Sequence, residues 1–155
     1  MQQDNLIFRK AKREDVLEIV RLLSEDVLGK NRESYTETLP EAYYQAFEEI
    51  NADSNNELMV CERDGEVIGT LQLTFIPGLT HQGAKRAQIE GVRVNKQHRS
   101  QGIGQQLFEW AIERAKQKQC RIVQLTTNKS RQDAHRFYER LGFVASHEGL
   151  KLEIP

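Results

Sequence analysis

A chain of 155 residues, 38% of them hydrophobic and 29% charged, has an ordinary globular balance and enough length for one real core. Its 22 basic and 23 acidic residues leave a formal charge of −1, which offers no overall attraction to nucleic acid or to an anionic membrane. No apolar run approaches the ~18–20 residues of a membrane span, no apolar signal core opens the sequence, and Cys61 and Cys120 make neither a disulfide framework nor a CxxC pair. These features predict a single domain over residues 1–155, cytoplasmic, with no membrane contact, no direct nucleic-acid binding and no metal site.

Leu6-Ile-Phe8 opens a short strand. Val16, Ile19, Val20, Leu23 and Val27 then recur at helical spacing, which predicts a helix from about Arg13 to Leu28 ended by Gly29. Pro40 marks the start of a second helix whose inner face is Tyr43, Phe47 and Ile50. Leu58–Cys61 and Val67–Phe75 flank Asp64-Gly65, a strong hairpin signal. In the second of these strands Val67, Leu71, Leu73 and Phe75 are expected on one face, with Thr70, Gln72 and Thr74 on the other. Pro77-Gly78 breaks the pattern, and a polar loop runs to about Lys85.

The stretch 86–95 changes phase. Ala87 and Ile89 are apolar at odd positions, Val92 and Val94 at even ones. A strand that keeps one face buried does this only by inserting a residue, so a β-bulge is expected at Glu90-Gly91; a strand buried on both faces is the alternative. Ile103, Leu107, Trp110, Ala111 and Ala115 line a helix to about residue 118, and Ile122, Val123 and Leu125 a short buried strand. Ala134, Phe137, Tyr138 and Leu141 stripe a last helix that Gly142 ends, and Phe143-Val-Ala and Leu150–Ile154 read as closing strands. The order β-α-α-β-β-β-α-β-α-β-β gives an α/β fold with a mixed sheet and helices on both faces.

Between the bulged strand and the next helix lies Arg99-Ser100-Gln101-Gly102-Ile103-Gly104-Gln105. Amides at a helix start lack intrahelical partners and carry the positive end of the dipole, so they suit phosphate. Glycines at 102 and 104 let an anion reach the main chain, and Arg99 adds a forked cation. A tight turn with no ligand is the other account of the glycines. The pattern is neither GxGxxG nor a nucleoside-triphosphate loop ending in Gly-Lys-Ser/Thr.

Arg99-x-x-Gly102-x-Gly104 resembles the Gln/Arg-x-x-Gly-x-Gly/Ala signature of the GCN5-related N-acetyltransferases, the GNAT superfamily. Ala134-x-x-Phe-Tyr138-Glu-Arg-Leu-Gly-Phe143 is similar to that family's later Ala-x-x-(Leu/Phe)-Tyr-x-x-x-Gly-Phe segment. With both motifs in order, the resemblance covers nearly the whole chain. It implies the GNAT acyl-CoA N-acyltransferase fold, acetyl-CoA as cosubstrate and direct transfer of its acetyl group to an amine of a small molecule or peptide. It also implies that residues 99–105 cradle the pyrophosphate while the main chain of Val92, Arg93 and Val94, with Asn128, holds the pantetheine arm. The family's usual Asn three residues before the helix alanine is Arg131 here. Arg131, Arg136 and Arg140 are either 3′-phosphate contacts or a solvated helix face.

Tyr138 is the general acid by this resemblance, its phenol protonating the departing thiolate; spacing alone also allows a core tyrosine. Glu90, at the bulge, is the candidate base, with an exposed strand glutamate as the alternative. His81 and His135 are weaker bases, His135 being expected to face solvent; Cys120 is expected to be buried rather than reactive. Glu33, Tyr35, Tyr43, Tyr44 and His81 are available to an acceptor, and carboxylate with aromatic groups would suit a cationic amine. Polyamines, amino acids, aminoglycosides and protein amino groups all stay open, as does a homodimer. A non-catalytic acyl-CoA-binding regulatory module is the alternative function.

Overall fold

The computed structural model describes residues 5–155. Five strands form one sheet in the order β1-β2-β3-β4-β5: β1 (Leu6–Lys10), β2 (Asn56–Arg63), β3 (Glu66–Ile76), β4 (Arg86–Val94) and β5 (Ile122–Leu125). Neighbours are antiparallel except β4 and β5, which run parallel. Helices α1 (Val16–Ser24), α2 (Val27–Arg32) and α3 (Glu41–Ala52) lie in sequence between β1 and β2, a single turn α4 (Thr80–Gly83) precedes β4, and α5 (Ile103–Gln117) and α6 (Gln132–Arg140) flank β5.

Each face of the sheet buries its own cluster. On one side Val16, Ile19, Val20 and Leu22 of α1 and Phe47 of α3 meet Val60 and Val67. On the other, Ile103, Leu107, Ala111 and Ala115 recur every fourth residue along α5 and press on Ile68, Leu71, Leu73 and Phe75, so the apolar stripe becomes the contact face. Phe108, outside that expected stripe, sits at the centre: its ring meets Phe137, Tyr138 and Phe143 edge-on at 5.6, 5.3 and 6.2 Å.

The hairpin forms at Asp64-Gly65, both residues at positive φ as a two-residue type I′ turn requires. The bulge forms as well. Thr70 and Gln72 of β3 pair with Arg93 and Glu90 of β4, so two steps on one strand oppose three on the other. Gly91 takes φ +62°, a value that side chains rarely adopt. Ala87 and Ile89 before it, and Val92 and Val94 after it, therefore pack on the same cluster.

Four expectations need correction. The helix expected over 13–28 is broken: Arg13–Asp15 is a 3-10 turn, α1 stops at Ser24, and Asp26 caps α2 by accepting from the Gly29 amide at 2.6 Å. Gly29 ends nothing; it lies inside α2 because a Cβ there would stand 1.9 Å from the Leu23 carbonyl oxygen. Val67 joins the opposite cluster from Leu71, since the β2–β3 register shifts at Cys61/Glu62. Finally, 143–155 forms no strand among the described residues, because no neighbouring strand lies beside it. The chain before α1 is fixed by Asp15, 7% exposed, which takes both Arg9 guanidinium nitrogens at 2.8 and 3.0 Å and the Lys12 amide at 2.7 Å.

Candidate active site

Pairing between β4 and β5 covers only Arg86–Ile89 against Ile122–Leu125. Beyond Ile89 the two parallel strands part, and residues 90–94 of β4 have no strand on that edge among the described residues. The bulge lies at the point of departure, where its extra residue turns the strand. The carbonyl oxygens of Val92 and Val94 accept from arginine side chains, Arg93 at 2.8 Å and Arg99 at 3.3 Å. Such an edge can take an extended, amide-bearing ligand arm as an added strand.

The glycine loop lies at the open end. Asn95, 4% exposed, anchors it: its amide donates to Ile68 O at 2.7 Å and its side chain accepts from the Gln97 amide at 2.9 Å. Ser100 and Gly102 take φ +64° and +78°, which turns the chain sharply into α5. No side chain caps α5 and no acid stands in its first turn, so its opening amides and dipole face outward uncompensated. A Cβ on Gly102 would meet nothing within 4 Å, so that glycine is required by its φ and leaves open space above the helix start. Around it, Gln101 accepts from Arg63 at 2.7 Å, Gln105 donates to Glu109, Ile103 is buried, and Gly104 lies beside Phe137. This geometry fits a diphosphate at 99–105 with its arm along 90–94.

Tyr138 lies near Arg93 of β4 and Arg131. Its ring is held edge-on by Phe108, Phe137 and Phe143, and its hydroxyl makes no hydrogen bond to the described residues. Burial raises its pKa while Arg131 and Arg93 pull it down; the net shift is upward, so the phenol stays protonated at neutral pH. Glu90 is exposed at the bulge with no ion-pair or hydrogen-bond partner among the described residues. Burial pushes the Cys61 thiol up to about 11 and raises that of Cys120, so neither supplies a thiolate nucleophile.

A cationic cluster borders Tyr138, and sequence reasoning missed its centre. Asp26, the cap of α2, receives Arg131 of α6 at 2.7 Å and faces Arg93 of β4 at 3.6 Å. The Arg93 side chain is 12% exposed, and its Nε is buried with no hydrogen-bond partner. Burial lowers the Arg93 pKa, Asp26 offsets this, and Arg131 and Arg32 lower it further. Arg93 and Arg131 thus share the Asp26 carboxylate, while Arg32, close enough to act on Arg93, pairs with Glu33. Nothing in the sequence joined Asp26 to Arg93 and Arg131; only the fold brings them together.

The remaining expected residues divide. Glu33 and Tyr43 meet, Tyr43 donating to Glu33 at 3.0 Å and accepting from the Ser34 amide at 2.9 Å, while Glu33 also pairs with Arg32. Tyr35 is exposed beside them in sequence. Tyr44 instead packs under Arg13 at 4.5 Å. His81 lies in the turn before β4, its carbonyl accepting from Arg121 at 2.6 Å; that is the end of β4 opposite the bulge, away from Tyr138. Asn128 uses its side-chain oxygen on Ser130 of its own loop, at 3.0 and 2.7 Å. His135, expected in solvent, is half-buried with Nε2 lacking a partner.

A pair of parallel strands that part, an uncapped helix start after the glycine loop and a tyrosine whose phenol stays protonated together make the candidate site. The family model described as "Acetyltransferase (GNAT) family" matches residues 24–143, and the chain belongs to that family. The chain is 35% identical to an aminoalkylphosphonate N-acetyltransferase of Salmonella typhimurium over 90% of its own length and 85% of the relative's. Among solved structures, one described as a transcriptional regulator from Bacillus halodurans C-125 is 53% identical, with a TM-score of 0.94 over 97% of this chain and 100% of the other. A structure of a predicted acetyltransferase with acetyl-CoA from Clostridium acetobutylicum has a TM-score of 0.75 over 96% of each chain at 19% identity, a likeness of fold alone. Acetyl transfer to an amine is the activity of this chain. No helix among the described residues is long and apolar enough to cross a membrane.

Proposed function

We propose that the chain takes its acetyl group from acetyl-CoA and gives it to a small primary amine that also carries an acidic group. The observation that carries the acceptor class is Arg93: a nearly buried guanidinium with an unpartnered Nε, sharing the Asp26 carboxylate with Arg131. An anion on the acceptor supplies the missing charge. The Salmonella relative's aminoalkylphosphonate has that chemistry. Glu33 and Tyr43 bond each other, which weakens the cationic-amine reading of those side chains.

In this reaction the neutral amine nitrogen bonds to the acetyl carbonyl carbon, and the bond from that carbon to sulfur breaks. Glu90, free at the bulge, accepts the amine proton directly or through water, and Tyr138 gives its phenolic proton to the leaving sulfur. The amides of 102–105 and Arg99 hold the diphosphate, and Val92 to Val94 the pantetheine arm. Asn128, turned into its own loop, has only its amide nitrogen left for that arm. The cytoplasm is the compartment that fits this activity.

Thiol release measured across an amine panel tests the reading. Aminoalkylphosphonates and short amino acids should be acetylated well, and alkylamines of equal length without the acid poorly. Arg93→Met should raise KM for the acidic acceptors by roughly 10–100-fold, the loss of one charge-assisted contact, with little change in acetyl-CoA affinity. Equal turnover of polyamines would overturn the acceptor class. Cofactor binding with no thiol release on any amine would favour a regulatory module.

A further inference from the structure

The side chains around Asp26 do not balance in charge. Its carboxylate is divided: Oδ1 accepts from the Gly29 amide at 2.6 Å as the cap of α2, and Oδ2 accepts from Arg131 at 2.7 Å. The same Oδ2 faces Arg93 Nη2 at 3.6 Å, beyond hydrogen-bond reach. Arg93 donates from Nη1 to the Val92 carbonyl at 2.8 Å, and its Nε is buried without a partner. Arg32 adds no net charge, because Glu33 pairs with it at 2.9 Å.

Burial works to raise the Asp26 carboxyl pKa, but the Gly29 amide, Arg93 and Arg131 outweigh it, so the group is ionised at neutral pH. Two guanidiniums against one carboxylate then leave one net positive charge. That charge lies beside the proposed acid, since Arg131 and Arg93 both act on Tyr138. The Asp26, Arg93 and Arg131 side chains are 24, 12 and 30% exposed, so the cluster is partly dried yet open to a ligand. In such surroundings charges act on one another more strongly than in bulk water.

An acid bound there meets the two guanidiniums and the carboxylate together. One negative charge on it completes the balance. A second is drawn by the guanidiniums but repelled by Asp26, and so brings little further advantage. We propose that Asp26 is a specificity-determining residue: it holds the Arg93–Arg131 pair to one net charge and so keeps doubly charged acids from outcompeting singly charged ones. This rests on the acceptor carrying an acid, as proposed above. Without Asp26 the pair carries two charges and selects the dianion.

Turnover of two acceptors with the same spacer, aminoethylphosphonate and β-alanine, tests it, with propylamine as the neutral control. At pH ~8 a phosphonate, like a phosphate monoester, has lost its second proton, whereas a carboxylate carries one charge. In the unaltered chain kcat/KM for the phosphonate should lie within about threefold of that for the carboxylate. Asp26→Asn keeps the cap, since asparagine caps a helix as well as aspartate does, and should raise this ratio about tenfold. Asp26→Glu keeps the charge and should leave the ratio near the parent's, and Arg131→Gln, which removes a guanidinium, should lower it. Damage to the site that is not electrostatic lowers both rates and leaves their ratio alone. An unmoved ratio in Asp26→Asn overturns the inference, as does a rise in Arg131→Gln. An equal rise in Asp26→Glu overturns it too, by assigning the effect to geometry. If the unaltered chain acetylates propylamine as well as the two acids, the acceptor class itself is wrong, and the inference falls with it.

Discussion

Tyr138 shows how far a single residue's chemistry depends on its surroundings. A phenol is a weak acid, with a reference pKa of about 10, and burial raises that value here despite two nearby guanidiniums. The proton is therefore present throughout the neutral range, and in the proposed step it stabilises the negative charge that develops on the departing sulfur, as a hydrogen bond or by transfer. Tyr138→Phe keeps the ring among Phe108, Phe137 and Phe143 and removes only the hydroxyl. We expect kcat to fall by about 10²-fold or more, with acetyl-CoA affinity changed less than twofold. Steady-state rates together with calorimetric titration separate the two; an equal loss in both would assign Tyr138 to packing. Because the pKa is raised, any fall in rate owed to this group comes above pH ~10. A loss of activity at lower pH that disappears in Tyr138→Phe would contradict the assignment.

At the scale of elements, the site is a junction between a strand that ends irregularly and a helix that starts uncapped. The bulge at Gly91 frees the end of β4 from β5, and the left-handed Gly102 aims the amides of α5 outward. Both irregularities weaken local structure, and in the proposed reading both serve the cofactor. Gly102→Asp should reduce acetyl-CoA affinity at least ~100-fold, since a carboxylate enters the space a diphosphate would fill and the strained backbone adds roughly 1–2 kcal/mol. Direct titration of the cofactor reads this out. Normal binding by that variant would mean that the phosphates sit elsewhere.

Across the whole molecule, Asp26 ties together parts far apart in the sequence: α2 through the Gly29 amide, β4 through Arg93 and α6 through Arg131. Burial raises its pKa, but the Gly29 amide and the two guanidiniums outweigh it, and the folded-state value lies below the ordinary one. Its contribution is therefore complete above the unfolded carboxyl pKa of about 3.9 and is lost as pH falls through the lower folded value. Asp26→Asn should cost about 1 kcal/mol at pH 7, or roughly 2–4 °C in Tm for a chain of this size. The gap between variant and parent should close in strong acid. Thermal melts from pH 7 to pH 2 measure it, and a gap that stays constant to pH 2 would show that the charge has no part.

Local rules sufficed for much of this protein, because they depend on near neighbours in the chain. Asp64-Gly65 dictated its turn, the phase change at 87–94 demanded a bulge, and the spaced glycines after Arg99 marked the uncapped start of a helix. The stripe of α6 and its stop at Gly142 followed in the same way. Other features are relations between distant residues, and no local rule contains them. Gly29 is a glycine because the Leu23 carbonyl presses on it, Phe108 is central because three other rings converge on it, and Arg93 has to share Asp26 with Arg131 while its Nε is left without a partner. The pattern at 150–154 has a strand's alternation, but hydrogen bonds need a second strand, and only the tertiary structure shows that none lies beside it among the described residues.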